Sequence, residues 1–89
     1  MNCDTLIGRF AFSKAGHDKA QLYVIVAADG DFVYLCDGRL KMLENPKKKR
    51  IRHVQLVNRS VDDTLRARLI NDETVYDDEI KYAIKVYRN

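Results

Sequence analysis

Three apolar runs, QLYVIVAA (21–28), FVYLC (32–36) and LKML (40–43), are separated by nothing longer than Asp29-Gly30-Asp31 and Asp37-Gly38-Arg39. Gaps that short leave no room for a helix, and Asp-Gly between apolar runs is a strong hairpin signal. The runs therefore read as consecutive antiparallel strands. The first is rich in Tyr, Val and Ile, and its nearly unbroken apolarity predicts burial on both faces. Upstream, Arg9-Phe10-Ala11-Phe12-Ser13 alternates its aromatics with the period of a strand. Downstream, ENPKKKR (44–50) reads as a loop, because Pro46 has no amide to donate to a ladder and four successive cations repel one another. IRHVQLV (51–57) reads as a fifth strand with room for an irregularity after Arg52.

Five short strands within about sixty residues predict a small barrel, since closure removes exposed sheet edges. From the pattern alone, a five-stranded SH3-like barrel and a partly open Greek-key barrel both fit. With 89 residues there is one modest core to share. The domain thus reads as a mainly-β barrel over 1–59, with 60–89 as a C-terminal helical extension packed on it.

In that extension, Val61, Leu65 and Leu69 lie four apart, on one face of a short helix. Ser60 and Asp63 form a weak capping box, and Asn71 is a left-handed terminator. A second helix starts at Thr74 as N-cap, with Asp77, Asp78 and Glu79 near the positive end of its dipole. Lys81, Lys85 and Arg88 sit toward the negative end. Its stripe of Tyr76, Ile80, Ala83, Ile84 and Tyr87 reads as packing surface, or else as the place where a protein partner would dock.

Charge divides the chain. Residues 1–60 hold eleven Lys/Arg against six Asp/Glu, and residues 61–89 hold five against seven. A basic first part suits a polyanion partner, and the acidic tail predicts that such a partner avoids the helices. Two knots concentrate the cations. One is Ser13-Lys14-Ala15-Gly16-His17-Asp18-Lys19, a tight connection in which Gly16 supplies backbone freedom. There Lys14, His17 and Lys19 point outward. The other is Lys47-Lys48-Lys49-Arg50, followed by Arg52 and His53. Arg50 and Arg52 can bind phosphate bidentately or stack on bases. Among the aromatics, Phe10, Phe12 and Phe32 read as core fillers and Tyr34 as the first candidate for an exposed stacking platform.

Enzyme chemistry finds little footing. His17 and His53 are the two histidines, Cys3 and Cys36 the two cysteines, and all four stand singly, without the paired spacing of a zinc site or an ordered Cys–His dyad. Asp62-Asp63 and Asp77-Asp78 stand where helices begin. No phosphate-cradling glycine loop or dinucleotide fingerprint is present, so no cofactor or metal is expected. No run is long enough to span a bilayer, and MNCDTLIGRF lacks the shape of a signal peptide. The reading is a cytoplasmic protein with free thiols.

GRFAFSKAGHDKAQLYVIV (8–26) resembles a KOW motif, the hairpin element of a family of SH3-like RNA-binding barrels. The fuller pattern G-R-x-x-x-S-K-A-G-x-D-K, then a Leu-Tyr-Val-Ile-Val strand and D-G-R-L, resembles the small KOW-domain RNA-binding proteins of Gram-positive bacteria. These are similar to the archaeal and eukaryotic large-subunit ribosomal protein fourteen of the "e" series. The likeness covers about residues 6–57. One departure is Ala20, where the family carries glycine. If that position needs positive φ, the turn must take another shape.

The resemblance implies binding to RNA, most naturally ribosomal RNA or ribosomal particles. It points to Arg9, Lys14, Gly16, His17, Lys19 and Arg39, and the composition adds Lys47, Lys48, Lys49, Arg50 and Arg52. The expected mechanism is a basic hairpin turn and a lysine-rich loop converging on a phosphate backbone.

Overall fold

The computed structural model describes residues 5–14 and 21–89. The chain forms five strands and two helices: β1 (Arg9–Ser13), β2 (Leu22–Asp29), β3 (Phe32–Cys36), β4 (Lys47–Arg50), β5 (Val54–Ser60), α1 (Asp63–Ile70) and α2 (Asp77–Arg88). A single 3-10 turn, Ile51–His53, joins β4 to β5. The strands form one antiparallel sheet in the order β4-β3-β2-β1-β5.

The Asp29-Gly30 turn closes the β2–β3 hairpin, with Asp29 opposite Phe32 and Gly30 at φ 59°. Val26 is the extra residue of a bulge, because Ile25 faces Leu35 while Ala27 faces Tyr34. A bulge bends and twists its strand, and here it curls the sheet. The curl has an independent witness. Lys49 Nζ on β4 donates to Ser13 Oγ on β1 at 2.6 Å, although three strand spacings separate them in sheet order. A flat sheet would hold those strands about 14 Å apart. The 3-10 turn likewise carries the chain from one sheet edge to the other in three residues. The sheet nonetheless stays open, with β4 and β5 as edges, so the expected closed barrel is corrected to a curled five-stranded sheet.

Both faces are covered, which is why Leu22, Tyr23, Val24 and Ile25 are all buried. On one face Phe10, Leu22, Val24 and Cys36 pack with Val61, Leu65 and Ile80 of the helical segment. On the concave face Ala11, Tyr23, Ile25, Val33, Leu35 and Val54 pack on one another. The ring of Tyr87 near the end of α2 lies 4.7 Å from that of Phe10.

LKML is not a strand. Asp37, buried at the end of β3, accepts the amides of Arg39, Leu40 and Lys41 through one oxygen at 2.9–3.1 Å. That winds the chain into a compact loop, and Leu40 is left 88% exposed. The lysine run, expected as a loop, is instead β4. Its repulsion is relieved by alternation, which sends Lys47 and Lys49 to the concave face with Leu35 and Val33, and Lys48 and Arg50 to the other with Tyr34 and Phe32. Lysine-rich edges also discourage further strand addition. The fifth strand begins only at Val54, after the 3-10 turn.

The helix caps differ as well. Asp62, not Ser60, caps α1 by accepting the Leu65 amide at 2.8 Å, because β5 runs through Ser60. The left-handed residue after α1 is Asp72, at φ 58°, while Asn71 has φ −87°. The Glu73 amide donates back to the Arg68 carbonyl at 2.9 Å, closing a Schellman turn. α2 starts after Tyr76 rather than Thr74, with Glu79 accepting the Tyr76 amide at 3.0 Å. Tyr76 itself leaves the apolar stripe and is exposed. Among the described residues, no helix is long and apolar enough to cross a membrane.

Candidate nucleic-acid interface

β4 fixes four cations at alternating positions, and each pair has a different surrounding. Lys48 Nζ stands 4.4 Å from the centre of the Phe32 ring, and Arg50 Cζ stands 4.9 Å from it. A cation over an aromatic face is stabilised by the ring quadrupole. Phe32, expected in the core, is half-buried, and two exposed cations flank it at the sheet edge. Tyr34, two residues along on the same face, is half-buried too and pairs in register with Lys48.

The other two cations are half-buried and engaged. Lys49 is held by Ser13, itself buried. Lys47 Nζ sits 6.0 Å from the Tyr23 ring, and burial, then the neighbouring Lys49, pulls its pKa below the usual lysine range. Half-buried and engaged, both are less available to an outside anion than Lys48 and Arg50.

The C-terminal end of β1 adds to this edge. The Lys14 amide donates to the His53 carbonyl at 3.0 Å, and Lys14 Nζ reaches the Arg52 carbonyl at 3.5 Å. Lys14, Arg52 and His53 are exposed. The 3-10 turn therefore brings the start of the hairpin connection beside the end of the lysine run. Gly16, His17 and Lys19, with Ala20, lie outside the described residues.

Two expected contributors are elsewhere. Arg9 lies at the far end of β1 and donates its Nε to the Val57 carbonyl at 3.1 Å, serving β5. Arg39 is exposed on the loop after β3 and lines a cleft against α2 with Lys81, Lys85 and Arg88. The i, i+4, i+7 spacing puts that trio on one helix face, although in the sequence the helix dipole alone explains all three.

Cys36 is a free, fully buried thiol. Burial, then Asp77 and Asp37, pushes its pKa up to about 12, which keeps it protonated and a poor nucleophile. Among the described residues, no three His, Cys, Asp or Glu side chains gather as metal ligands.

Compared with known families, the chain matches no family model, and compared with curated proteins it has no significant match.

Proposed function

We propose that the protein binds RNA, ribosomal RNA or ribosomal particles in the cytoplasm, through phosphate contacts from the β4 edge and the adjoining Lys14, Arg52 and His53. The observation that carries this reading is the cation pair of Lys48 and Arg50 held over half-buried Phe32 on an edge strand. Fixed cations suit phosphates, and the exposed guanidinium plane of Arg50, backed by the Phe32 ring, suits an unpaired base. The KOW-like signature of residues 8–26 points the same way. So does the curl of the sheet about a 3-10 turn, which we take as an open SH3-like barrel.

Fluorescence anisotropy with an RNA stem-loop, titrated in salt, tests it. Lys14, Lys48, Arg50 and Arg52 alone give a log–log slope of about −3. The competing reading is a protein partner on the helical side, where Tyr82 is 67% and Val86 50% exposed. Absence of binding, or binding indifferent to salt, overturns the RNA reading in favour of that one.

A further inference from the structure

The helical tail carries a basic side of its own. Lys81, Lys85 and Arg88 share one face of α2 and, with Arg39, line a cleft to which Gln21, Asp37, Ile84 and Asn89 also contribute. None of the tail's Asp or Glu residues lines that cleft; Asp77, Asp78 and Glu79 occupy the first turn of α2.

Asp37, the one acidic side chain lining the cleft, has little to offer its neighbours. One Asp37 oxygen takes three backbone amides, and the other accepts Gln21 Nε2 at 3.3 Å. Lys81 makes one loose pair with Asp78 at 3.9 Å. Arg39, Lys85 and Arg88 make no ion pair or side-chain hydrogen bond with any described residue. The dipole of α2 accounts for Lys85 and Arg88 near its C-terminal end, but not for Arg39, which arrives from a loop. Cations gathered this closely, with the one acidic side chain among them already committed, invite an outside anion.

Position names the anion. Phe32, Tyr34 and Cys36 alternate onto one face of β3, and Lys48 and Arg50 pair with the first two. Cys36 on that face packs with Ile80 of α2. The β4 cations and the α2 cleft therefore lie on the same, helix-bearing face of a molecule whose longest extent is 32 Å. We infer that the Arg39/Lys85/Arg88 cleft is a second phosphate site for the same RNA strand, so that the footprint runs from β4 onto the C-terminal helix. This rests on the RNA reading above, and it reverses the expectation that the tail repels RNA.

The test is anisotropy with a fluorescein-labelled oligouridine across a salt series, on folded full-length protein checked by thermal melting. K85Q/R88Q lowers the slope of log affinity against log salt by about 1.4, and R39Q by about 0.7. K48Q/R50Q gives a separate loss of about 1.4, and losses at the two sites add. If R39Q and K85Q/R88Q keep the wild-type slope while K48Q/R50Q loses its share, the second site is wrong and the RNA reading stands. If wild type binds no RNA, both fall. Should K85Q/R88Q fail to fold, R39Q decides, since the Arg39 side chain bonds no described residue.

Discussion

Lys49 and Ser13 are bonded across the concave face, Nζ to Oγ at 2.6 Å, between strands three places apart in the sheet. A neutral hydroxyl thus holds a charged amine where the sheet's own curl has half-buried it. The bond ties the basic edge to the start of the hairpin connection, so the shape of the sheet and the placement of its charges depend on each other.

Ser13→Ala removes the acceptor and leaves the amine partly desolvated. The expected cost is about 1.5–3 kcal/mol, typical of a hydrogen bond to a charged group. For a domain of this size that lowers Tm by roughly 4–8 °C per kcal/mol. A double-mutant cycle with Lys49→Met isolates the pair. Strictly additive losses would show that the two side chains are neighbours without being partners.

Gly38→Ala and Gly30→Ala separate strain from crowding. Both glycines have positive φ, 77° and 59°. A Cβ on Gly30 meets nothing, whereas one on Gly38 runs into the Asp77 carbonyl and the Lys81 amide at the start of α2. Gly30→Ala should cost about 1 kcal/mol, the price of a left-handed alanine. Gly38→Ala should cost about 3 kcal/mol or more, because helix backbone must also move. Urea unfolding of the two variants gives the ranking directly, and equal losses would mean that α2 does not press on this loop.

Glu79 makes stability depend on acid. Its carboxylate receives Arg68 through both oxygens, at 2.6 and 2.8 Å, and also the Tyr76 amide. The Arg68 bonds, then the Tyr76 amide, lower its pKa below the ordinary glutamate value. A lowered folded-state pKa contributes stability above the unfolded value, about 4.3, and loses it as pH falls through the folded one. Wild type should therefore lose more stability than Glu79→Gln between pH ~5 and pH ~3. Urea midpoints at the two ends of that window test this, and parallel losses would remove Glu79 from the account.

Cys36 works at the other end of the scale. With its thiol pushed up to about 12, the folded state stays protonated while an unfolded thiol ionises near pH 8.5. Its contribution is full below about 8.5 and fades as pH rises toward the folded value. In a Cys3→Ser background, Cys36 should react with Ellman's reagent at pH ~8 no faster than the protein unfolds. Immediate labelling of folded protein would mean that the α2 side of the core opens locally.

The hairpin over 22–36 was readable because its signals are local: β-branched runs broken by an Asp-Gly pair. The errors fell where a distant group decided the outcome. Asp37 signalled a turn, but its carboxylate takes three successive amides, and LKML cannot extend. The lysine run looked self-repelling. The Phe32 and Tyr23 rings and the Ser13 hydroxyl that accommodate it come from β3, β2 and β1. The cations themselves were plain in the sequence, but their grouping was not. Arg9 turns to β5 and Arg39 to α2, which are facts of curl and packing.

The last expectation concerns which lysines matter. By count, Lys47, Lys48 and Lys49 are equivalent, and replacing all three should remove two to three units of salt slope by the rough counterion rule. Geometry divides them. Lys48 and Arg50 are exposed over Phe32, while Lys47 and Lys49 are half-buried against Tyr23 and Ser13. Lys48→Ala with Arg50→Ala should flatten the slope by about 1.4–1.8 units and barely change Tm. Lys47→Ala with Lys49→Ala should flatten it by less than half as much, and should lower Tm through the lost Ser13 bond. Salt titrations and melts on the two double variants distinguish the cases. Equal slopes would mean that the concave face meets RNA as readily as the helix-bearing one, and that Phe32 does not select which cations are used.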